Sequence, residues 1–271
     1  MNSLLALLRK HFSEARWVLG LSIAAFFGLS ILTIWLTLRA ERAIEAANFE
    51  QGGRSLRGFR LLGARDFSTL SLEVSFWNHP LIILTVLGWA ITRGAAAVSG
   101  EIERGSLDLV LSRPISRSLF LLSHVTFAVL GVFALAAALI AGNVLGSQFF
   151  AVKEPPSIAI LMRPGLMLAT LGLAAYGYTL PLSAIDIVRW RPGLIASAFT
   201  LAGVIAMTVA PQFEGYEWLE RVSIFRAYAP ITVATNGAPL AYNATVLTVV
   251  FAVGVVLSFL AFSRRDLPTN S

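Results

Sequence analysis

Six runs of about 20 mostly apolar residues constrain this chain more than any other feature of its sequence. They lie at residues 17–38, about 76–98, 119–142, 164–184, 193–211 and 244–262. Roughly 20 residues of α-helix, rising about 1.5 Å per residue, cross the ~30 Å hydrocarbon core of a bilayer. Because backbone polar groups in lipid must be bonded within their own segment, each run is expected to be a transmembrane helix.

The composition also indicates a membrane protein. Charged residues are 13% of the chain, about half of the ~25% usual in soluble domains. Hydrophobic residues reach 56%, which excludes a disordered chain. A soluble protein of this composition would lack the polar residues needed to cover its surface. Cysteine is absent, so disulfides, thiol nucleophiles and cysteine metal sites are excluded.

The positions of lysine and arginine predict the orientation. The net charge is +6, and we assign the basic residues to the flanks of the spans rather than to nucleic-acid binding. One set is concentrated in short segments close to the spans, and that side is expected to be cytoplasmic. The sequence therefore predicts a multi-pass protein of the cell (inner or plasma) membrane with both termini in the cytoplasm. The first run is interpreted as a retained span, since it is too long for a signal peptide.

Segments outside the six runs add two predicted features. Residues 1–16 carry apolar side chains at helical spacing, with charged residues opposite, which is typical of an amphipathic helix lying in the membrane surface. Residues 39–73 are expected to form a loop. Residues 212–243 are too apolar for a solvated loop, and we expect short helices there in a re-entrant segment before the last span.

The most informative stretch lies between the second and third runs and reads SGEIERGSLDLVLSRPISR over residues 99–117. It predicts a short helix with Leu107, Val110 and Leu111 on one face, ended by Pro114, because the residue before a proline leaves the α region. The spacing alone leaves two interpretations open, a connector on the membrane surface or a docking helix for a soluble partner.

This stretch resembles the first cytoplasmic loop of the ABC-2 family of ABC transporter permeases, whose pattern is roughly E-x-E-x-G-[ST]-L-[DE]-x-L-L-[ST]-x-P-[IV]-[ST]-R. The chain fits it at Glu101, Glu103, Gly105, Ser106, Leu107, Asp108, Leu111, Ser112, Pro114, Ile115, Ser116 and Arg117. Val110 stands where the family usually has leucine. Residues 218–230 and the ending 262–267 are similar to the same family, although Tyr228-Ala229-Pro230 replaces an earlier Ser-Pro pair.

The resemblance implies an all-α polytopic membrane protein that is the permease subunit of an ATP-driven transporter, an exporter in our interpretation. Such a chain pairs with a second permease subunit, as a homodimer or heterodimer, and docks on a separate ABC ATPase subunit that carries ATP and Mg. The surface helix 1–16 and the coupling helix 100–117 would form the docking surface. The residues assigned to coupling are Glu101, Glu103, Arg104, Gly105, Ser106, Leu107, Asp108, Leu111, Pro114 and Arg117.

The chain itself shows no motor and no catalytic motif. A P-loop needs G-x-x-x-x-G-K-[ST], and neither Lys10 nor Lys153 follows glycines in that way. His11, His79 and His124 are expected in different places, so we predict no metal, no cofactor and no catalytic residue in this chain. Two alternatives stay open: a membrane-embedded enzyme that uses His79 or His124, and an ATP-independent channel or ion-coupled transporter.

Overall fold

The computed structural model describes residues 2–51, 76–107, 112, 115–152, 155–208, 212–213, 215–235 and 239–265. Its α-helices are α1 (Asn2–Gln51), α2 (Pro80–Ala96), α3 (Ser99–Glu103), α4 (Arg117–Phe149), α5 (Ile158–Ile185), α6 (Trp190–Thr208), α7 (Glu217–Val222), α8 (Pro230–Ala234) and α9 (Leu240–Arg264). The described residues also form the 3-10 helices Phe76–Asn78 and Ile224–Ala227. No strand occurs within these ranges, in agreement with the all-α prediction.

Among the described residues, five helices are long and apolar enough to cross a membrane, namely α1, α4, α5, α6 and α9. The predicted helical membrane protein is confirmed at this level. Helix α2 is also apolar but has 17 residues, which gives about 25 Å of helix against the ~30 Å hydrocarbon core. Its start is set by His79, whose Nδ1 accepts a hydrogen bond from the Leu81 N–H at 3.3 Å, and by Pro80 in the first turn.

Helix α1 differs from the prediction of a surface helix at 1–16 followed by a span at 17–38 and a loop from residue 39. It runs unbroken for 50 residues, about 75 Å at roughly 1.5 Å per residue. No proline interrupts it, and good helix formers lie on both sides of each expected boundary. Near its start, Leu7 and Ala15 are buried while Phe12 is exposed, so this part of the helix packs against the bundle.

Helices α1 and α4 run parallel. The His11 Nε2 lies 2.9 Å from the Ser123 Oγ, and further along both helices the Ser30 Oγ donates to the Leu139 carbonyl at 2.8 Å. The pair Gly142-x-x-x-Gly146 lies in this contact, since a Cβ on Gly142 would meet the carbonyl oxygen of Phe27 at 2.6 Å. The absence of a side chain there lets the two backbones approach.

Helices α2, α5 and α9 run opposite to α1 and α4. Trp89 of α2 packs on Gly131 of α4, and the Arg93 guanidinium carbon lies 5.8 Å from the Phe127 ring centroid, so the order of contacts is reversed. Helix α5 lies at the centre and packs against α2, α4, α6 and α9. The bundle therefore alternates in direction along the chain.

The segment before α9 forms the short helices α7, Ile224–Ala227 and α8, in agreement with the prediction of short helices within 212–243. It is anchored to the end of the bundle at which α2 begins. The Tyr228 Oη donates to the Trp77 carbonyl at 2.6 Å, and the Ser223 Oγ donates to the Gly203 carbonyl at 2.8 Å. The opposite end of the bundle carries those residues assigned to coupling that the structure describes.

Candidate functional site

Helix α3 is shorter than the predicted helix over 100–117. It ends at Glu103, and Gly105 follows in the left-handed region with φ +67°. The Gly105 N–H donates to the Ile102 carbonyl at 2.9 Å, which is the usual arrangement of a glycine that closes a helix. Helical backbone resumes at residues 106–107, and the predicted coupling residues Asp108, Leu111 and Pro114 lie outside the described residues.

Glu101 is the centre of a buried ionic network. Its side chain is 1% exposed, although it carries a charge. The Lys10 Nζ lies 2.8 Å from Oε2, the Arg104 Nη2 lies 2.8 Å from Oε1, and the Ser106 Oγ also donates to Oε2. These contacts join the start of α1 to α3 and to the turn that follows it, so one carboxylate fixes three separate pieces of backbone.

Opposing effects act on the pKa of the Glu101 carboxyl. Burial raises it, because a buried charge loses hydration. The hydrogen bonds from Lys10 and Ser106, together with the positive charges of Lys10 and Arg104, outweigh burial and hold the pKa below its ordinary value of 4.5. The carboxylate is therefore ionised at neutral pH, which keeps the network charged.

The link between α1 and α3 is expected to weaken in acid. A carboxylate whose pKa is lowered by folding stabilises the folded chain. This stabilisation is fully present above the pKa of the unfolded chain, 4.5, and is lost as the pH falls through the lower pKa of the folded chain. At pH values below about 4.5, the melting temperature of the purified chain should therefore decrease. The decrease should be smaller in Glu101→Gln, because its side chain cannot ionise. An equal acid dependence of both proteins would show that the carboxylate makes no contribution.

Glu103 ties α3 to the connector between α5 and α6. Its Oε2 accepts a hydrogen bond from the Arg189 backbone N–H at 3.0 Å. In the same connector, Asp186 Oδ1 accepts from the Ile187 N–H at 2.7 Å and lies 3.9 Å from the Arg191 Nη1. Asp186 thus approaches Arg191 within the connector. A cleft of about 310 Å³ opens beside Glu103, Arg189 and the exposed Trp190.

Arg117 joins the start of α4 to the end of α9. Its Nη1 donates to the Arg265 carbonyl at 2.7 Å, and the Arg265 Nη1 in turn donates to the carbonyls of Ala184 and Asp186 at 2.8 and 2.9 Å. Burial lowers the pKa of the Arg265 guanidinium, against the opposing effect of Asp186. Residues 262–265 of the ending singled out by the resemblance thus lie at the same end of the bundle. We call it the charged end and define it by Lys10, Glu101, Glu103, Arg117 and Arg265.

The residues assigned to coupling divide by exposure. Glu103, Arg104 and Gly105 are exposed, while Ser106 and Arg117 are half-buried. Glu101 and Leu107 are buried and face the interior, at 1% and 2% exposure. A soluble partner can therefore touch the edge formed by residues 103–105, whereas Glu101 and Leu107 hold that edge in place.

The histidines are arranged differently from the expectation. His11 and His124 were expected apart, yet their ring centroids lie 4.0 Å apart where α1 packs on α4. The reason is that residues 2–16 belong to the bundle rather than to a separate surface helix. Within the described ranges, no group of three or more His, Cys, Asp or Glu side chains is placed to hold a metal ion.

The fold and its composition define a helical membrane protein with a charged end held by an interhelical ion pair and by hydrogen bonds between helix ends. The chain matches no protein-family model and no curated protein sequence. Its relation to the ABC-2 permeases stays a prediction from the sequence motifs.

Proposed function

We propose that the chain is the permease subunit of an ATP-driven exporter in the cell membrane. In this proposal a separate ATPase subunit docks at the charged end, and a second permease subunit completes the membrane pathway. The observation that carries the proposal is the network around Glu101 and Glu103, which ties α3 both to α1 and to the connector between α5 and α6. Force applied to α3 is transmitted to three long helices.

The bundle supports a six-span arrangement in which α2 serves as the sixth span. Alternating directions place the start of α1 and the end of α9 at the charged end, as a six-span chain requires. Lys10, Arg104, Arg117 and Arg265 lie at this end, and basic residues close to spans favour the cytoplasmic side. We therefore assign the charged end to the cytoplasm, where an ATPase has access to ATP.

The exposed edge has the features of a docking site for a protein. Glu103 and Arg104 present charges of both signs, and the neighbouring cleft of about 310 Å³ is lined in part by Trp190, which is 62% exposed. A concave site with an exposed aromatic residue and charges at its rim suits one anchoring side chain of a partner. Rocking of the bundle by closure of two ATPase subunits would then shift it between two packings.

Reversal of one exposed charge tests the docking proposal. In Glu103→Arg, the ATP-binding subunit that co-purifies with the chain from native membranes should fall about tenfold, which corresponds to ~1.4 kcal/mol of interface energy. Glu220→Arg is the matched control, because Glu220 is a partly exposed carboxylate in α7 at the opposite end of the bundle. Immunoblotting of the membrane fraction measures whether both variants insert equally.

Two results would contradict the proposal. One is unchanged co-purification of the ATPase with Glu103→Arg. The other is transport by the purified chain in liposomes that contain no ATPase, which would favour the channel or ion-coupled alternative. Loss of activity on changing His79 or His124 without loss of assembly would instead favour an enzyme.

A further inference from the structure

A second cavity has a volume of about 700 Å³ and lies between α2, α5 and α6, beside the 3-10 helix Ile224–Ala227. It shares the lining residues Ile91 and Ser197 with the cleft beside Glu103. This volume is within the ~300–1,000 Å³ typical of ligand sites. Its walls are mainly apolar side chains, among them Leu84, Leu87, Leu201 and Val204. The described residues that line it include no Asp, Glu, Lys or Arg.

The hydroxyl groups of Thr200 and Tyr228 at the wall are already bonded within the protein. The Thr200 Oγ1 donates to the Ala196 carbonyl at 2.7 Å and lies 2.5 Å from the Tyr178 Oη. The Tyr228 Oη donates to the Trp77 carbonyl at 2.6 Å. Water in this cavity would therefore find few of the two to four polar partners that a buried water needs. An empty cavity would forfeit the dispersion contacts of its lining, so the surface favours an apolar occupant.

The position of the cavity mouth indicates that the apolar occupant comes from the lipid bilayer. It opens between α2 and α6, where Leu84 and Leu201 are 64% and 61% exposed. In a membrane these two helices face hydrocarbon, so an acyl chain reaches the cavity without crossing water. The exposed Asn78 stands at the rim, at the end of the bundle where α2 begins. The Asn78 amide therefore provides a polar group at this end of the mainly apolar cavity, which suits the headgroup of a lipid whose acyl chain lies inside.

Gly88 enlarges the cavity. A Cβ built on Gly88 meets no atom within 4 Å, whereas a Cβ on Gly94 of the same helix would lie 2.9 Å from the Thr179 Cβ. Gly94 thus serves close helix packing, and Gly88 does not. Glycine in the middle of a helix is unfavourable relative to alanine, and at Gly88 that disadvantage is matched by open space inside the cavity rather than by a helix contact.

We propose that this cavity binds one acyl chain of a membrane lipid, with the polar headgroup at the Asn78 rim. The site goes beyond the proposed transport function, because it uses neither the charged end nor an ATPase. It is a property of the single chain in a bilayer.

Photocrosslinking of the full chain in vesicles tests this site. The probe is a phosphatidylcholine with a diazirine at the end of one acyl chain, diluted into unlabelled lipid, and peptide mass spectrometry maps the adducts. We expect adducts enriched on the cavity-lining residues of α2 and α6. Gly88→Phe fills the open space and should reduce them about tenfold. Gly28→Phe is the matched control, because Gly28 of α1 is also exposed with no atom within 4 Å of a built Cβ, and it should leave them unchanged.

Two outcomes would overturn the site. In the first, adducts are spread equally over α1 and the cavity and are unaffected by Gly88→Phe. The probe would then report only ordinary contact between the bilayer and the lipid-facing surface. Gly88→Cys provides a second measurement that does not depend on tolerance of phenylalanine, since the natural chain contains no cysteine. A disulfide-linked dimer of Gly88→Cys would show that a second copy of the chain, and not a lipid, covers the cavity. Loss of ATPase co-purification tests the transport proposal alone, so the two proposals can fail separately.

Discussion

Replacement of Gly254 by alanine is expected to destabilise the folded chain by about 3 kcal/mol, at the upper end of the usual cost of overpacking. A Cβ on Gly254 would lie 1.9 Å from the Gly177 carbonyl oxygen and 2.4 Å from its carbonyl carbon. Both are backbone atoms, so no side chain can rotate away, and α5 and α9 must separate. The loss includes every contact that α9 makes along the central helix.

Unfolding by increasing denaturant in mixed micelles measures this effect. Gly88→Ala is the control, since its new methyl group meets no atom within 4 Å, and removal of a mid-helix glycine should stabilise by about 0.5–1 kcal/mol. The two changes are chemically identical and are expected to have opposite signs. Equal stability of Gly254→Ala and the natural chain would contradict the close contact between α5 and α9.

The positions of the long helices could be predicted from the sequence because membrane insertion depends on local composition. A run of about 20 apolar residues has few alternatives in a bilayer, and each predicted run lies wholly or largely within a helix of the structure. The ends were less predictable. Helix α1 extends through residues 2–16 because this segment packs on the bundle, with Leu7 buried and His11 against Ser123 of α4. The His11 contact joins chain segments more than 100 residues apart.

The partners of the site residues were not predictable for a similar reason. The motif predicted that Glu101 and Leu107 take part in coupling. A sequence pattern, however, does not distinguish a residue that faces a partner from one that faces the interior. The lysine that pairs with Glu101 lies 91 positions away. Lys10 belongs to the charged residues opposite the apolar face of segment 1–16, and that pattern does not indicate a buried carboxylate as its partner. Gly177 and Gly254 likewise carry no local pattern that separates them from Gly88.

Removal of the Glu101 carboxylate is expected to cost about 2–3 kcal/mol in Glu101→Ala. Breaking a fully buried ion pair costs ~3–5 kcal/mol because it strands an uncompensated charge. Here the stranded cations are partly solvated, since the Lys10 and Arg104 side chains are 28% and 49% exposed. The cost is therefore reduced toward that of hydrogen bonds to a charged group, ~1.5–3 kcal/mol.

A double-mutant cycle with Lys10→Met isolates the pairwise interaction, with each protein measured by denaturant unfolding in mixed micelles. If the Lys10–Glu101 contact joins α1 to α3, the two changes together should cost less than the sum of the single changes. Glu101→Gln is the conservative comparison, because its amide oxygen can still accept from Ser106, and it should lie between Glu101→Ala and the natural chain. Strict additivity would mean that the two side chains act separately. Force on α3 would then reach α1 only through apolar packing, and the Glu101 network could not be the element that couples a docked ATPase to the long helices.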